Sequence, residues 1–196
     1  MRRFIVVGHR AVTTAEFPLN DLAGAAGRMD LLLNAANAAL LVSHGLRRDV
    51  EVTLLLLGPP DPPRAIRILG ERLERWGPDI RGNAALIRRA LERGSRLERE
   101  TSPGIFASMR SLEEVLAGVP EPLVELREDG HDIRQASLPH DVAFLLSDSV
   151  DLTSEEREII SRKNPLACRV GPRSLHTDHV IAIIHNELDR RDASIT

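Results

Sequence analysis

Short, uninterrupted apolar runs separated by segments of helical periodicity constrain this chain most. Residues 4–8, 50–57 and 142–146 read as strands, without the in–out alternation of a half-exposed sheet. A strand that is apolar on both faces must be covered on both. That favours a mostly parallel α/β sheet flanked by helices. Residues 65–69, 123–126 and 167–170 are shorter strand candidates, and 4–8 is expected as an edge or first strand. Helical patterns occupy 27–46, 83–97 and 176–188, with Gly45 suited to cap the first. Ser111 with Glu114, and Thr153 with Glu156, have capping-box spacing, so short helices should follow each. Residues 71–76 read as a helical turn, and Gly130 as the turn after 123–126.

Length and composition narrow the class. A chain of 196 residues fits one domain and can bury a substantial core. Cys168 is the single cysteine, which excludes an intrachain disulfide and a cysteine-built zinc site. His176, His179 and His185 lack a third ligand in register, so no metal is expected. His185 and Asp189 are four apart and could pair across one helical turn. The apolar opening is broken by His9 and Arg10, and no apolar stretch reaches membrane-spanning length. A soluble, cytoplasmic protein with no membrane association is the expectation.

The net charge of -3 hides an asymmetry. Residues 1–100 carry a net of +4 and residues 101–196 a net of -7, and Lys163 is the only lysine among the basic residues. Arginine grips phosphate through two parallel hydrogen bonds, so the first half could meet a polyanion. The abundant Ala, Gly, Pro and Arg are equally what a G+C-rich genome would produce.

The common nucleotide-binding and nucleophile-elbow signatures are absent. In parallel sheets, ligands sit beyond the carboxyl ends of the strands, which points to loops 126–130, 147–151 and 170–174. These are equally readable as ordinary turns. So is Thr101-Ser102-Pro103-Gly104, which would otherwise suit an active-site loop. Asp30, close to Arg28 at the start of an apolar helix, suits either the helix dipole or an active-site carboxylate.

The stretch Ser174-Leu175-His176-Thr177-Asp178-His179, continuing through His185-Asn186-Glu187-Leu188-Asp189, resembles the archaeal-type tRNA pseudouridine-54 N1-methyltransferases of the SPOUT superfamily. Three further segments agree in order: Asp21-Leu22 with Gly27-Arg28-Met29-Asp30-Leu31-Leu32, Arg47-Arg48-Asp49-Val50 with the 58–63 segment, and Thr101-Ser102-Pro103-Gly104-Ile105. The resemblance implies a single domain over 1–196, α/β, with a SPOUT-type Rossmann-like mostly parallel sheet and a C-terminal trefoil knot. It implies a basic half at 1–100, a cofactor-binding knot region near 120–190, a homodimer, S-adenosyl-L-methionine as cofactor and tRNA as partner. By family position, Leu126, Ser147, Arg169, Val170, Gly171, Pro172, Arg173, Ser174, Leu175 and Val180 would line the cofactor. Arg28 and Asp30 would face the target nucleotide as catalytic residues, completed across the dimer. One segment departs: Ser147-Asp148-Ser149-Val150-Asp151 stands where the family has Gly-Asp-His-x-Gly. Glycine permits close approach or positive φ. The departure leaves open a catalytically silent SPOUT-fold RNA-binding or dimeric scaffold protein.

Overall fold

A computed structural model describes residues 1–119 and 122–193. Residues 120 and 121, where the expected cofactor region begins, lie outside the described residues, as do 194–196. In chain order the elements are β1 (Arg2–Gly8), α1 (Met29–Leu40), β2 (Leu41–Val42), β3 (Gly45–Leu46), β4 (Val50–Leu56) and β5 (Arg64–Leu69). Then come α2 (Ile80–Arg93), β6 (Arg99–Ser102), β7 (Ile105–Ser108), α3 (Leu112–Ala117) and β8 (Leu123–Asp132). β9 (Val142–Ser147), α4 (Ser154–Ser161), β10 (Leu166–Arg169) and α5 (Thr177–Ala193) complete the chain.

The main sheet runs β10-β8-β9-β1-β4-β5-β7-β6. The first five strands pair in parallel, and the last three join as an antiparallel wing. Both faces are covered, which explains the apolar runs. On one face Phe4, Val6, Val52, Leu54 and Phe144 pack with Met29, Leu32, Leu33 and Ala36 of α1 and with Ile181, Ile184 and Leu188 of α5. On the other, Ile5, Val7, Leu55, Ala143 and Leu145 meet Leu112, Val115 and Leu116 of α3 and Ile160 of α4. Each such large side chain contributes about 1.5–3 kcal/mol by leaving water. Both capping boxes form, at Ser111 and Thr153.

Two expectations are corrected and two sharpened. β1 is the first strand, as one reading had it, and is central rather than an edge, because β4 and β9 both pair with it. The first helix ends at Leu40, not near Gly45. Leu41 turns extended and pairs with Leu46, and Gly45 belongs to the small β2–β3 hairpin. Gly130 is not a turn after its strand but lies within β8. A Cβ there would sit 2.7 Å from the backbone of Ala167 and Cys168, so glycine is what lets β10 close on β8. The turn expected at 101–104 forms at Pro103-Gly104, with Thr101 and Ser102 ending β6; the two strands it joins were not expected, because β6 is short and polar. Gly104 takes φ +75 there.

β9 and β10 follow each other in the chain but are separated in the sheet by β8. After β10 the chain returns across the sheet, and α5 packs on α1. A partly buried network fixes it there. Arg2 Nη1 donates to Asp189 at 2.6 Å and lies 3.0 Å from His185 Nδ1; Arg2 Nη2 donates to Asp192 at 2.9 Å. Arg47 donates twice to Asp189, at 3.1 and 2.6 Å. Asp189 thus pairs with these two arginines, while His185 turns its Nε2 to Ala39 O at 3.0 Å. Among the described residues no helix is long and apolar enough to cross a membrane.

Candidate functional site

The three loops singled out in the sequence converge at the carboxyl ends of β8, β9 and β10, around a cavity of about 630 Å³. That volume is within the range of small-molecule sites, roughly 300–1,000 Å³. Leu126, Ser147, Arg169, Val170, Gly171, Arg173, Ser174, Leu175 and Val180 line it; Pro172 does not. Leu126, Leu145, Leu146, Leu152, Val170 and Val180 make it apolar in part. Glu125, Glu128, Asp129, Asp148 and Asp151 supply carboxylates, and Arg127, Arg157, Arg169 and Arg173 supply guanidiniums. Such a site suits a ligand with a flat apolar part, hydroxyls and both signs of charge. Thr177 donates to Ser147 O at 2.7 Å, tying the first turn of α5 to the end of β9. Cys168 also faces the cavity, and burial pushes its thiol up from the ordinary range.

The 147–151 loop is held by a histidine that sequence reasoning did not single out. His9 follows directly on β1. Its backbone N–H donates to Asp148 Oδ2 at 2.9 Å, and its ring Nδ1 lies 2.9 Å from Asp148 Oδ1. Its ring Nε2 lies 3.0 Å from Glu156 Oε2, which also accepts from the Thr153 N–H at 2.8 Å. An ionised carboxylate only accepts, so both ring nitrogens must donate, and the ring is an imidazolium. Burial by itself would lower His9, but the bonds to Asp148 and Glu156 outweigh it and raise the ring above its usual range. Burial would raise Glu156, but the Thr153 and His9 bonds hold it below the ordinary carboxylate range. Asp148 is 2 % exposed; it also accepts from the Val150 N–H at 2.9 Å, and its own N–H donates to Val7 O. The signal available in the sequence was position: His9 and Asp148 both sit just past strand ends.

No backbone conformation in this loop requires glycine. Among the described residues only Arg28 and Asn164 are non-glycine residues with positive φ, so Ser147 and Asp151 carry ordinary backbone.

Arg28 and Asp30 lie outside the cavity lining. Arg28 caps α1 in the left-handed region at φ 66, directly after Gly27 at φ +62. A Cβ on Gly27 would stand 1.9 Å from Arg10 O, so the turn needs glycine there. Arg28 then reaches over Asp30 with two bonds of 3.0 Å, Nε to Oδ1 and Nη2 to Oδ2. The Asp30 bonds, together with the charge of Asp148, hold the guanidinium above its ordinary range. Asp148 therefore stands between the cavity, which it lines, and the Arg28–Asp30 pair, which feels its charge. Asp30 is also an acidic residue in the first turn of α1, so it faces the favourable end of the helix dipole.

The turn at 101–104 belongs to the opposite edge of the sheet and does not enter the cavity. Arg81, Arg89 and Arg93 of α2 and the nearby Arg96 are exposed. No metal-holding group of His, Cys, Asp and Glu occurs among the described residues.

Residues 1–193 match the family model described as "Putative SAM-dependent RNA methyltransferase". The chain is 48% identical over 193 residues to a tRNA (pseudouridine(54)-N(1))-methyltransferase of Methanocella arvoryzae, covering 97% of this chain and all of that one. It is 42% identical over 195 residues to the protein of that name in Methanococcoides burtonii, covering 97% and 96%. In fold it is similar to Nep1 of Archaeoglobus fulgidus bound to S-adenosylhomocysteine. The TM-score is 0.67 at 16% identity, over 97% of this chain and 98% of that one. The architecture is thus the SPOUT-type α/β fold, with the trefoil-knot arrangement of its C-terminal end. The chain belongs to the archaeal-type tRNA pseudouridine-54 N1-methyltransferase family of the SPOUT superfamily.

Proposed function

We infer that this protein uses S-adenosyl-L-methionine to methylate N1 of pseudouridine 54 in tRNA. The observation that carries the reading is 48% identity, along nearly the whole chain, to a protein named for that activity. The cavity at the ends of β8, β9 and β10 is its physical counterpart.

S-adenosyl-L-methionine, when bound, supplies an electrophilic methyl on a sulfonium. The cavity fits it: leucine and valine side chains can cover an adenine, and carboxylates can face the ribose hydroxyls and the cationic amino-acid end. Leu126, Ser147, residues 169–171 and 173–175, and Val180 are assigned to this binding. The rest of the task is placement, since a substitution at carbon gains most from aligned partners and excluded water. The acceptor N1–H must lose its proton. Asp30, oriented by the two Arg28 bonds, is assigned to receive or steer that proton, and Arg28 to hold the nucleotide. The exposed arginines of α2 are assigned to tRNA phosphates. A second copy of the chain is proposed to complete the acceptor side, and the cytoplasm is the proposed setting.

Calorimetric titration with S-adenosyl-L-methionine tests the cofactor reading. No binding at millimolar ligand sinks it and favours the silent RNA-binding or scaffold alternative. Methyl incorporation into tRNA with and without pseudouridine at position 54 tests the acceptor. Incorporation that ignores the pseudouridine excludes the N1 assignment. Asp30→Ala is expected to lower kcat at least about a hundredfold while leaving cofactor affinity near wild type.

A further inference from the structure

The 147–151 loop holds no glycine, and it lines the cavity without left-handed backbone. Something other than glycine must hold its shape. Asp148 is the only residue of the loop with more than one side-chain bond described, and every one of them is to a donor on His9 or to Val150 within the loop itself. His9 is in turn braced from behind by Glu156, which the Thr153 capping box fixes at the start of α4. The chain is therefore β1 end, imidazolium, Asp148, cavity wall. Its rigidity depends on a proton, because a neutral ring can donate to one carboxylate but not to both. Loss of the proton would leave two carboxylates pointing at one ring, with at least one of them facing a lone pair.

We propose that His9 is a positioning residue: its imidazolium, gripped by Asp148 and Glu156, holds the 147–151 loop in its ligand-lining form, and affinity for the adenosyl ligand falls when that proton is lost. This rests on the reading of the cavity as the S-adenosyl-L-methionine site. The groups facing His9 are Asp148 from the β9–α4 loop and Glu156 from α4; Arg28 reaches the cluster only through its charge on Asp148. The sign follows from the geometry. Two carboxylates favour the charged ring, so the grip is present below the raised value of His9 and is released as pH rises through it. Cys168 also lines the cavity, and burial moves its thiol upward from the ordinary range.

The test is calorimetric titration of the full chain with S-adenosylhomocysteine from pH 6 to 9.5, beside an NMR titration of the His9 ring in the unsubstituted protein. The His9 resonance is expected to titrate above 6.5, and ligand affinity to fall about tenfold in step with it, the equivalent of one charge-assisted hydrogen bond lost. His9→Gln, which keeps a donor but cannot ionise, should bind with an affinity that no longer changes over this range. Glu156→Gln should keep the break but shift it toward lower pH, a displacement that a purely structural role would not produce. A His9 ring that titrates at or below 6.5 overturns the proposal, and so does a pH break that survives in His9→Gln. If the unsubstituted protein binds no ligand at any pH, the cofactor reading itself fails. Binding that ignores His9 removes only the positioning role.

Discussion

The two ends of strand β1 each carry a histidine, and the two are held in opposite charge states. At the N-terminal end, His185 of α5 faces Arg2, which can only donate, so its Nδ1 must accept and its Nε2 must donate to Ala39 O. That ring is neutral. Burial and the charges of Arg47 and Arg2 lower its pKa to about 4. At the C-terminal end, His9 faces two carboxylates and is an imidazolium. The first end sits beneath α5 and closes the fold; the second touches the loop that lines the cavity. The same side chain thus serves as a fixed staple where cations surround it and as a titratable clamp where anions do. The titratable one lies where parallel sheets place their ligands.

The contrast makes two predictions for the staple, the larger through pH. His185 is depressed to about 4 in the folded chain against about 6.5 unfolded. Above 6.5 neither state binds the proton and the staple is fully in place. Below 6.5 only the unfolded chain takes it up, so stability falls until about pH 4, by up to about 3 kcal/mol in all. Asp189 acts later. Burial opposes its ionisation, but the Arg47 and Arg2 bonds hold it at about 2, so its contribution is lost only as pH falls from about 3.8 through that value. Urea unfolding at pH 7 and pH 5 checks the His185 window. A His185→Gln chain should be weaker at pH 7 and should lose less on acidification. An unchanged slope would break the contrast. Next in size is Arg2→Met, which keeps the packed stem but removes the pairs to Asp189 and Asp192. Asp189 retains Arg47 and is partly exposed, so the expected cost is about 2 kcal/mol at pH 7. The pH dependence of ligand affinity should stay as in the unsubstituted chain, which separates the two ends of β1.

Much of this layout was legible in the sequence, for physical reasons that also explain what was missed. Uninterrupted apolar runs announced β1, β4 and β9, because strands buried on both faces leave no polar period. The capping boxes at Ser111 and Thr153 are local and read directly. β6 stayed hidden because it is an exposed, polar edge whose pairing is set by a neighbour. Gly130 misled because a strand glycine with ordinary φ looks like a turn until the backbone that presses on it is known. The family landmarks located most of the cavity wall but not the His9 cluster. His9 lies 139 residues from Asp148 and 147 from Glu156 in the chain, and only the juxtaposition of β1 with β9 brings them together. Pro172 shares its neighbours' position in the chain yet stays out of the lining, since a turn presents only some of its residues to one side.

The smallest predicted effect concerns the glycine-free 147–151 loop. If glycine were needed there for backbone freedom, Ser147 and Asp151 would be held at positive φ, and restoring glycine would relieve strain. Neither residue is so held. Ser147 ends β9, and its carbonyl accepts from Thr177 Oγ1, a bond that does not depend on the side chain at 147. Ser147→Gly should therefore change ligand affinity less than about twofold, below about 0.5 kcal/mol, and Asp151→Gly should weaken it modestly through the lost cavity carboxylate rather than tighten it through backbone freedom. Thermal stability should drop slightly, since glycine adds freedom to the unfolded chain. Isothermal titration of both variants beside His9→Gln decides the matter. A glycine variant that binds tenfold better would assign the loop's shape to backbone freedom. Near-equality for Ser147→Gly, with the large effect confined to His9, assigns it to the imidazolium between two carboxylates.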